Sequence, residues 1–269
     1  MEKYKRSERL VIITQKLLEY PGTVIPLNYF ADIFQVAKST ISEDLAILKN
    51  TFNQFASGKV DTITGTAGGV KYITYKSPNE INATLNKLCT QLSQPERIIT
   101  GGFLYMTDLI FDPDRVADLG QIFATKFTDL NPDYIITIET KGIPLALMTA
   151  RALNRPLIII RDQSKVTEGS SVSINYVSST TKNIRTMALS RRALPSGAKV
   201  VFIDDFMRAG STSKGMLDLM AEFRATVLGI GVLVATKDPK EKLVSDYVAL
   251  LQLETVDEEK REVIIKPII

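Results

Sequence analysis

The stretch VVFIDDFMRAGST, residues 200–212, joins a strand-like apolar run to two carboxylates and then to a loop of small and hydroxylic residues. The carboxylates, Asp204 and Asp205, stand where a strand would end. In that position their oxygens can accept hydrogen bonds from the neighbouring hydroxyls of a ribose. The small residues after them let backbone N–H groups and the start of a helix approach a phosphate. The stretch therefore predicts a ribose 5-phosphate site, with a phosphate loop made of Arg208, Ala209, Gly210, Ser211 and Thr212.

Strand-like apolar runs alternate with amphipathic helical patterns through residues 77–269. Strands are predicted at residues 134–138, 157–160, 184–189, 200–203, 226–234 and 247–253, and helices at 81–92, 116–127, 145–153 and 213–223. This alternation indicates an α/β fold in which helices flank a mostly parallel sheet. Ligands bind such sheets beyond the carboxyl ends of the strands, where residues 204–212 are expected to lie.

The first 76 residues have a different pattern, with three short helices and a hairpin. A helix at residues 7–19 ends before Pro21-Gly22, and Pro26 is placed to open a second helix. A third helix is predicted from a capping box at Thr40 and Glu43, with an apolar stripe of Ile41, Leu45, Leu48, Phe52 and Phe55. Residues 59–64 and 70–75 form a predicted hairpin, and residues 76–79 a linker. The N-terminal domain, residues 1–76, is therefore predicted to be a winged helix-turn-helix.

The short turn between the second and third helices makes the third the candidate recognition helix. Residues 1–76 hold 10 Lys and Arg against 7 Asp and Glu, whereas residues 77–269 hold 23 of each, so the basic excess is N-terminal. Glu43 and Asp44 would be repelled by phosphates, so they either cap the helix or accept from cytosine. An interaction domain without nucleic acid remains an alternative. The residues predicted to contact DNA are Lys5, Arg6, Lys38, Ser39, Thr40, Ser42 and Lys71.

Composition excludes several kinds of site. The 269 residues include one cysteine and no histidine, which excludes an intramolecular disulfide, the usual Cys and His zinc sites and histidine-based triads. No apolar run approaches the roughly 18 residues of a membrane span, so a cytoplasmic protein is expected. No metal site made by the protein alone is predicted.

The run of residues 200–212 resembles the phosphoribosyl pyrophosphate signature of type I phosphoribosyltransferases. In that family a pyrophosphate loop lies between a strand and a helix, the position here of Thr140, Lys141 and Gly142. The polar residues 161–183 are too long for an ordinary connection and resemble the family's lid, with Lys165, Lys182 and Arg185 as cations that could close on pyrophosphate. A solvated β-hairpin is the alternative. Mg²⁺ bridging the diphosphate is expected, with no other cofactor.

The whole chain resembles the PurR-type purine operon regulators of Gram-positive bacteria. The matching segments are KSTISEDL at residues 38–45, GGVKYI at 68–73, TKGIPLA at 140–146 and KVTEGSSVSINYVS at 165–178. This resemblance implies a homodimeric transcription regulator that binds double-stranded DNA upstream of purine genes. It also implies phosphoribosyl pyrophosphate as effector, purine nucleotides as competitors and no catalysis.

Two other functions stay open from the sequence. One is an active purine phosphoribosyltransferase fused to a DNA-binding module, in which Glu139 or Glu168 would assist proton transfer; no base-binding hood is evident. The other is a nucleotide-binding protein whose winged helix contacts protein. Whether a regulator of this kind represses or activates depends on where its DNA site lies.

Overall fold

The computed structural model describes residues 4–55, 58–65, 68–163, 167, 169–179 and 182–268. The chain divides into two compact units. One comprises Met1–Ser77 with Ala152–Asn154, and the other comprises Pro78–Arg151 with Arg155–Ile269. In the part of the chain that is described, no helix is both long enough and apolar enough to cross a bilayer.

The first unit contains three helices followed by an antiparallel hairpin, as predicted. Its elements are α1 (Arg6–Glu19), α2 (Leu27–Phe34), α3 (Lys38–Phe55), β1 (Lys59–Ile63) and β2 (Gly69–Ile73). The α2–α3 turn begins at Gln35, whose φ of 52° ends the helix in the left-handed region. Residues 66 and 67 of the predicted hairpin loop lie outside the described residues.

The third helix differs from its prediction at both ends. It begins at Lys38, and the backbone N–H groups of Thr40 and Ile41 donate to the carbonyl of Ala37. Thr40 therefore lies within the first turn, and the predicted capping box is wrong. The apolar stripe is buried as far as Phe52, but Phe55 is 73% exposed because the stripe passes the end of the core there.

The second unit contains the α/β part of the chain. Its elements are α4 (Pro78–Leu92), β3 (Ile98–Ile99), β4 (Phe103–Leu104), α5 (Thr107–Ile110), α6 (Pro113–Phe127), β5 (Tyr134–Ile138), α7 (Ile143–Leu153), β6 (Leu157–Ile160), β7 (Ser171–Val177), β8 (Ile184–Ser190), β9 (Lys199–Met207), α8 (Ser211–Glu222), β10 (Thr226–Thr236), β11 (Val248–Asp257) and β12 (Glu262–Pro267). Helix α4 starts at Pro78, inside the predicted linker of residues 76–79.

Among the described residues, the main sheet has six strands in the order β12-β11-β10-β9-β5-β6. All neighbouring pairs are parallel except β11 with β12, which is antiparallel. The predicted mostly parallel sheet is confirmed. Strands β5 and β9 are mostly apolar over Tyr134–Ile138 and residues 200–203 because helices bury both faces of a sheet of this kind.

Strand β9 continues through both aspartates, so the prediction that the strand ends before them is wrong. Its backbone stays paired with β10, where Asp204 lies opposite Val232 and Phe206 opposite Val234. On its other side, β9 pairs with β5 only as far as Phe202. The two carboxylates therefore lie beyond the paired part of β5, where the sheet edge is open.

The polar segment at residues 161–183 contains a hairpin strand. Strand β7 pairs antiparallel with β8, from Ser171 opposite Ser190 to Val177 opposite Ile184. For these residues the β-hairpin alternative is confirmed. Lys165 and Glu168 lie outside the described residues.

Candidate functional sites

A cleft of about 220 Å³ lies at the carboxyl edge of the main sheet. It brings together several residues that the sequence predicted for ligand binding: Thr140, Lys141, Asp204, Asp205 and Thr212. Arg185 and Glu139, both considered from the sequence, also line it, together with residues that the sequence did not single out: Ile138, Asp162, Tyr176 and Phe206. The turn after β5, the end of β9 and the start of α8 thus meet around one opening.

The pKa values of both aspartates in the cleft are raised. Burial raises the pKa of Asp204 well above its ordinary value, and the neighbouring charge of Asp205 raises it further. Burial also raises the pKa of Asp205, although the ammonium of Lys141 lowers it in part. Hydroxyl groups that donate to these carboxylates would stabilise their charged form. The cleft therefore favours a ligand with adjacent hydroxyls and negative charge close to Lys141.

Gly142 lets the backbone pass close to β5 and β9. A Cβ at this position would lie 2.6 Å from the Thr137 hydroxyl oxygen and 2.9 Å from Oδ1 of Asp204. Helix α7 begins at the next residue, so the N–H groups at its start face the same turn. The turn can therefore present backbone donors to an anion because it has no side chain there.

Gly142→Ala is expected to distort the cleft. The added methyl displaces Asp204 or the turn, so we expect a loss of about 1–3 kcal/mol of stability together with weaker binding of phosphoribosyl compounds. Chemical denaturation and calorimetric titration measure the two effects. Gly120→Ala is the matched control, since a Cβ there would lie 2.6 Å from backbone of Met148, away from the cleft. Equal affinity in both variants would contradict the role of Gly142.

The predicted phosphate loop leads directly into α8. Gly210 precedes the helix with a φ of 82°, a conformation that favours glycine, and Ser211 is the first helical residue. Thr212 lines the cleft, whereas Arg208 is exposed and lines an adjoining cavity. Ala209, Gly210 and Ser211 are not among the residues that line either cavity in the described part of the chain. They form the loop that leads to Thr212.

The end of the β7–β8 hairpin contacts the phosphate loop through Ser179. Its backbone N–H donates to Oγ of Ser211 at 3.0 Å, and the two hydroxyl oxygens are 2.8 Å apart. Lys182, one of the cations predicted to close on pyrophosphate, lies in the same hairpin connection, where its φ of 58° is in the left-handed region. A phosphate bound by the Ser211 hydroxyl would compete with Ser179, so binding there is expected to release this contact.

The carboxylate of Glu139 accepts hydrogen bonds from the residues that follow β6. Its carboxylate accepts from Nη1 of Arg161 at 3.1 Å and from the backbone N–H of Asp162 at 2.8 Å. These bonds attach the turn after β5 to the residues after β6. The carboxylate therefore helps to hold the turn that lines the cleft.

A second cavity of about 660 Å³ adjoins the cleft and was missed from the sequence. It shares Lys141, Asp205 and Phe206 with the cleft, and the β3–β4 hairpin forms one wall. The apolar lining residues are Ile99, Phe103, Leu104, Met106, Leu253 and Val256. The pair Gly101-Gly102 between two short apolar runs is a hairpin signal that could have located this wall.

The start of α3 offers polar groups on the side opposite its buried stripe. Lys38, Ser39 and Ser42 are exposed, and Thr40 is half-buried. The Ser42 hydroxyl donates to the carbonyl of Lys38 at 3.0 Å, which leaves its oxygen able to accept. The first turn of α3, the candidate recognition helix, is therefore free to meet phosphates or base edges.

An ion-pair cluster links the start of α1 to α3. Asp44 is fully buried and accepts from Nε of Arg9 at 2.7 Å and Nε of Arg6 at 3.2 Å, while Glu43 pairs with Arg6 at 2.8 Å. Neither acid caps the helix, and Asp44 cannot reach a base, so both predicted roles fail for it. Arg6, predicted to contact DNA, is held by two carboxylates. Lys5 is exposed.

Two lysines, Lys59 and Lys71, lie in the strands of the wing. Lys71 is half-buried and lies opposite Asp61 in the β1–β2 register. The ammonium of Lys59 lies 3.6 Å from the centre of the Tyr75 ring. Asp61 offsets part of the charge that Lys71 would bring to DNA.

Comparison with known proteins assigns the chain to a family. Residues 5–74 match the family described as bacterial purine repressor, N-terminal, and residues 107–263 match the phosphoribosyl transferase domain. The purine biosynthesis transcriptional repressor PurR of Bacillus subtilis (strain 168) is 45% identical over 97% of this chain and 92% of its own length. The chain belongs to the PurR family.

The PurR family includes proteins named for opposite effects on transcription. The purine biosynthesis transcriptional activator PurR of Lactococcus lactis subsp. lactis (strain IL1403) is 35% identical over 96% of both chains. The probable purine biosynthesis transcriptional regulator PurR of Streptococcus pneumoniae serotype 4 is 38% identical over 95% of this chain and 93% of its own length. The predicted resemblance is thus confirmed, and the chain is a transcriptional regulator of purine biosynthesis.

The second unit of this PurR family member is also similar to enzymes. Xanthine phosphoribosyltransferase of Levilactobacillus brevis is 32% identical over 62% of this chain and 88% of its own length. The crystal structure of adenine phosphoribosyltransferase from Thermoanaerobacter pseudethanolicus matches with a TM-score of 0.54 at 18% identity, over 62% of this chain and 98% of that one, which shows the fold. The relatives that span nearly the whole chain are regulators, so the prediction that it is not an enzyme is confirmed.

Proposed function

We propose that this chain binds double-stranded DNA upstream of purine genes as a homodimer, and that phosphoribosyl pyrophosphate with Mg²⁺ acts as its effector. One observation carries the effector assignment: Thr140, Lys141, Asp204 and Asp205 line a single cleft together with Thr212 at the start of α8. The combination of paired carboxylates, a lysine and a helix N-terminus suits a ribose that bears both a phosphate and a diphosphate.

Each part of the ligand has a matching group in the cleft. The two ribose hydroxyls donate to Asp204 and Asp205, the diphosphate meets Lys141 and the backbone at Gly142, and the 5-phosphate meets the loop at Ser211 and Thr212. No group of three or more metal-ligating side chains exists within the described ranges. Mg²⁺ would therefore be held mainly by the oxygens of the diphosphate.

The adjoining cavity supports purine nucleotides as competitors for this site. It opens beside Lys141 and Asp205, has an apolar wall, and its volume of about 660 Å³ is ample for a nucleobase. A nucleotide that placed its ribose phosphate in the cleft would direct its base toward this wall. We expect such nucleotides to displace phosphoribosyl pyrophosphate in a competition titration.

The double substitution Asp204→Ala/Asp205→Ala tests the effector site. We expect titration calorimetry with phosphoribosyl pyrophosphate and Mg²⁺ to show binding to the native protein and none to the variant, because the ribose hydroxyls lose both acceptors. DNA affinity without effector should be unchanged. Asp218→Ala is the control, since Asp218 is exposed on α8 and pairs with Lys214. Unchanged effector binding in the double variant would refute the assignment.

The double substitution Lys38→Ala/Ser39→Ala tests the DNA surface. Loss of a lysine and a hydroxyl at the start of α3 should weaken operator binding about tenfold or more and flatten its salt dependence by about one phosphate contact. Calorimetric affinity for the effector should stay the same. Lys126→Ala removes an exposed lysine from the second unit and is the charge-matched control. If operator affinity is unchanged in the α3 double variant but falls in the Lys126→Ala control, this assignment of the DNA-binding surface is contradicted.

A further inference from the structure

Lys242 lies in the connection after β10 and attaches that connection to the predicted phosphate loop. Its ammonium donates to the carbonyl oxygens of Arg208 and Thr236, at 2.5 and 2.7 Å, and to the Thr236 hydroxyl at 3.2 Å. The Thr236 hydroxyl is itself 3.1 Å from the Arg208 carbonyl oxygen. All three ammonium hydrogens can therefore be used on two residues, one of which begins the loop.

The residues after Lys242 contact the same loop. The backbone N–H of Leu243 donates to the carbonyl of Ala209 at 2.9 Å. A Cβ on Gly210 would lie 3.3 Å from Cγ2 of Val244, so this segment is in close contact with the loop. Val244 is buried in the core of the unit, which fixes the segment in place. The loop at residues 208–210 thus rests on residues 242–244.

The ammonium of Lys242 forms no salt bridge in the described part of the chain, and Asp238 is the carboxylate whose charge acts on it. Its hydrogen-bond partners are neutral oxygens, and within the described ranges it lines neither the cleft nor the adjoining cavity. Burial lowers the pKa of Lys242, and the charge of Arg208 lowers it too, while Asp238 acts in the opposite direction. An anion held by the loop would offset this positive charge.

We propose that Lys242 is a positioning residue for the phosphate loop, which it holds in the shape that receives the 5-phosphate of a phosphoribosyl ligand. This rests on the effector site proposed above. Without the lysine, the Arg208 carbonyl loses a donor, and the loop must be ordered when the ligand binds. The diphosphate end of the ligand lies at the turn of Thr140–Gly142, which Lys242 does not touch. Loss of Lys242 should therefore weaken binding of the 5-phosphate end of the ligand and leave binding of the diphosphate end unchanged.

Lys242→Met tests this proposal with three probes: ribose 5-phosphate, pyrophosphate and phosphoribosyl pyrophosphate, each titrated with Mg²⁺ into the full chain. We expect affinity for ribose 5-phosphate and phosphoribosyl pyrophosphate to fall about tenfold, and affinity for pyrophosphate to stay within about twofold. Lys242→Arg should restore most of the loss, because a guanidinium can donate to both carbonyls. Lys240→Met is the control, since that lysine is exposed in the same connection.

The outcomes separate this inference from the proposed function. If the native protein binds the probes and Lys242→Met binds ribose 5-phosphate equally well, the positioning role is overturned while the effector site stands. An equal loss for all three probes also overturns it, because that result indicates general destabilisation. If the native protein binds none of them, the effector site itself is wrong and this inference falls with it.

Discussion

Asp204→Asn should make the ligand-free protein more stable at neutral pH, even though it removes the ability to bind effector. Asp204 is only 6% exposed and lies beside a second carboxylate, so its charged form is costly in the folded state. An asparagine keeps the bond in which Oδ1 accepts from the backbone N–H of Asp205 at 2.9 Å. Removing the buried charge is expected to add about 1–3 kcal/mol to the free energy of unfolding.

The gain in stability of the Asp204→Asn variant should grow as the pH rises. The pKa of Asp204 is raised above its ordinary value of 3.8 in the folded protein. Between the two values the folded state binds more protons than the unfolded state, so the stability of the native protein falls as pH rises through the folded pKa. Asp204→Asn lacks this loss. The difference between variant and native protein should be largest above the folded pKa and shrink toward pH 4.

Denaturant unfolding at several pH values between 4 and 8 measures this effect. Asp218→Asn is the control, because that aspartate is exposed and paired with Lys214 and should change stability by less than about 1 kcal/mol. Phosphoribosyl pyrophosphate with Mg²⁺ should raise the unfolding midpoint of the native protein and leave that of Asp204→Asn unchanged. A variant less stable than the native protein at pH 7 would show that the carboxylate serves the fold.

Asp44→Ala should destabilise the winged-helix unit by about 3–5 kcal/mol and abolish operator binding. The change leaves Arg9, whose side chain is 8% exposed, buried without its carboxylate. It also removes the carboxylate that links the start of α1 to α3. Because the chain forms two compact units, unfolding should become biphasic, with the early transition confined to residues 1–77.

Two companion variants distinguish the buried charge from other effects. Glu43→Ala removes the exposed partner of Arg6 and should cost less than about 1 kcal/mol. The double substitution Arg9→Met/Asp44→Leu replaces the pair with apolar groups and should recover much of the stability lost in Asp44→Ala. Circular dichroism during thermal unfolding follows both units. If Asp44→Ala costs no more than Glu43→Ala, the buried pair does not stabilise this unit.

Strands β5 and β6 could be predicted from sequence because their signal is local. Tyr134–Ile138 is apolar except for Thr137, Leu157–Ile160 is apolar throughout, and the structure has the same bounds. Strands with weaker patterns escaped prediction. Both β3 and β4 have only two residues, and β12 alternates buried and exposed residues at the antiparallel edge. Their pairing depends on neighbours that are distant in sequence.

The largest errors concern charged residues whose partners are far away along the chain. Asp44 looked like a surface acid on a recognition helix, and nothing near it in sequence indicates that Arg9, 35 residues earlier, buries it. The bonds of Glu139 with Arg161 and Asp162 were likewise not predictable, because β6 brings these residues together from 22 and 23 positions apart. In contrast, Asp204 and Asp205 belong to one contiguous stretch with the phosphate loop, so their meeting required no long-range information.

Binding of the native protein to DNA from upstream of purine genes, measured at fixed salt during titration with phosphoribosyl pyrophosphate and Mg²⁺, tests the central claim most directly. Adenine and guanine are supplied in parallel reactions to detect nucleotide formation. A shift in DNA affinity of about fivefold or more without nucleotide formation is the result expected for an effector-responsive regulator. DNA affinity that ignores the ligand while nucleotide accumulates at ordinary enzymatic rates would contradict that account.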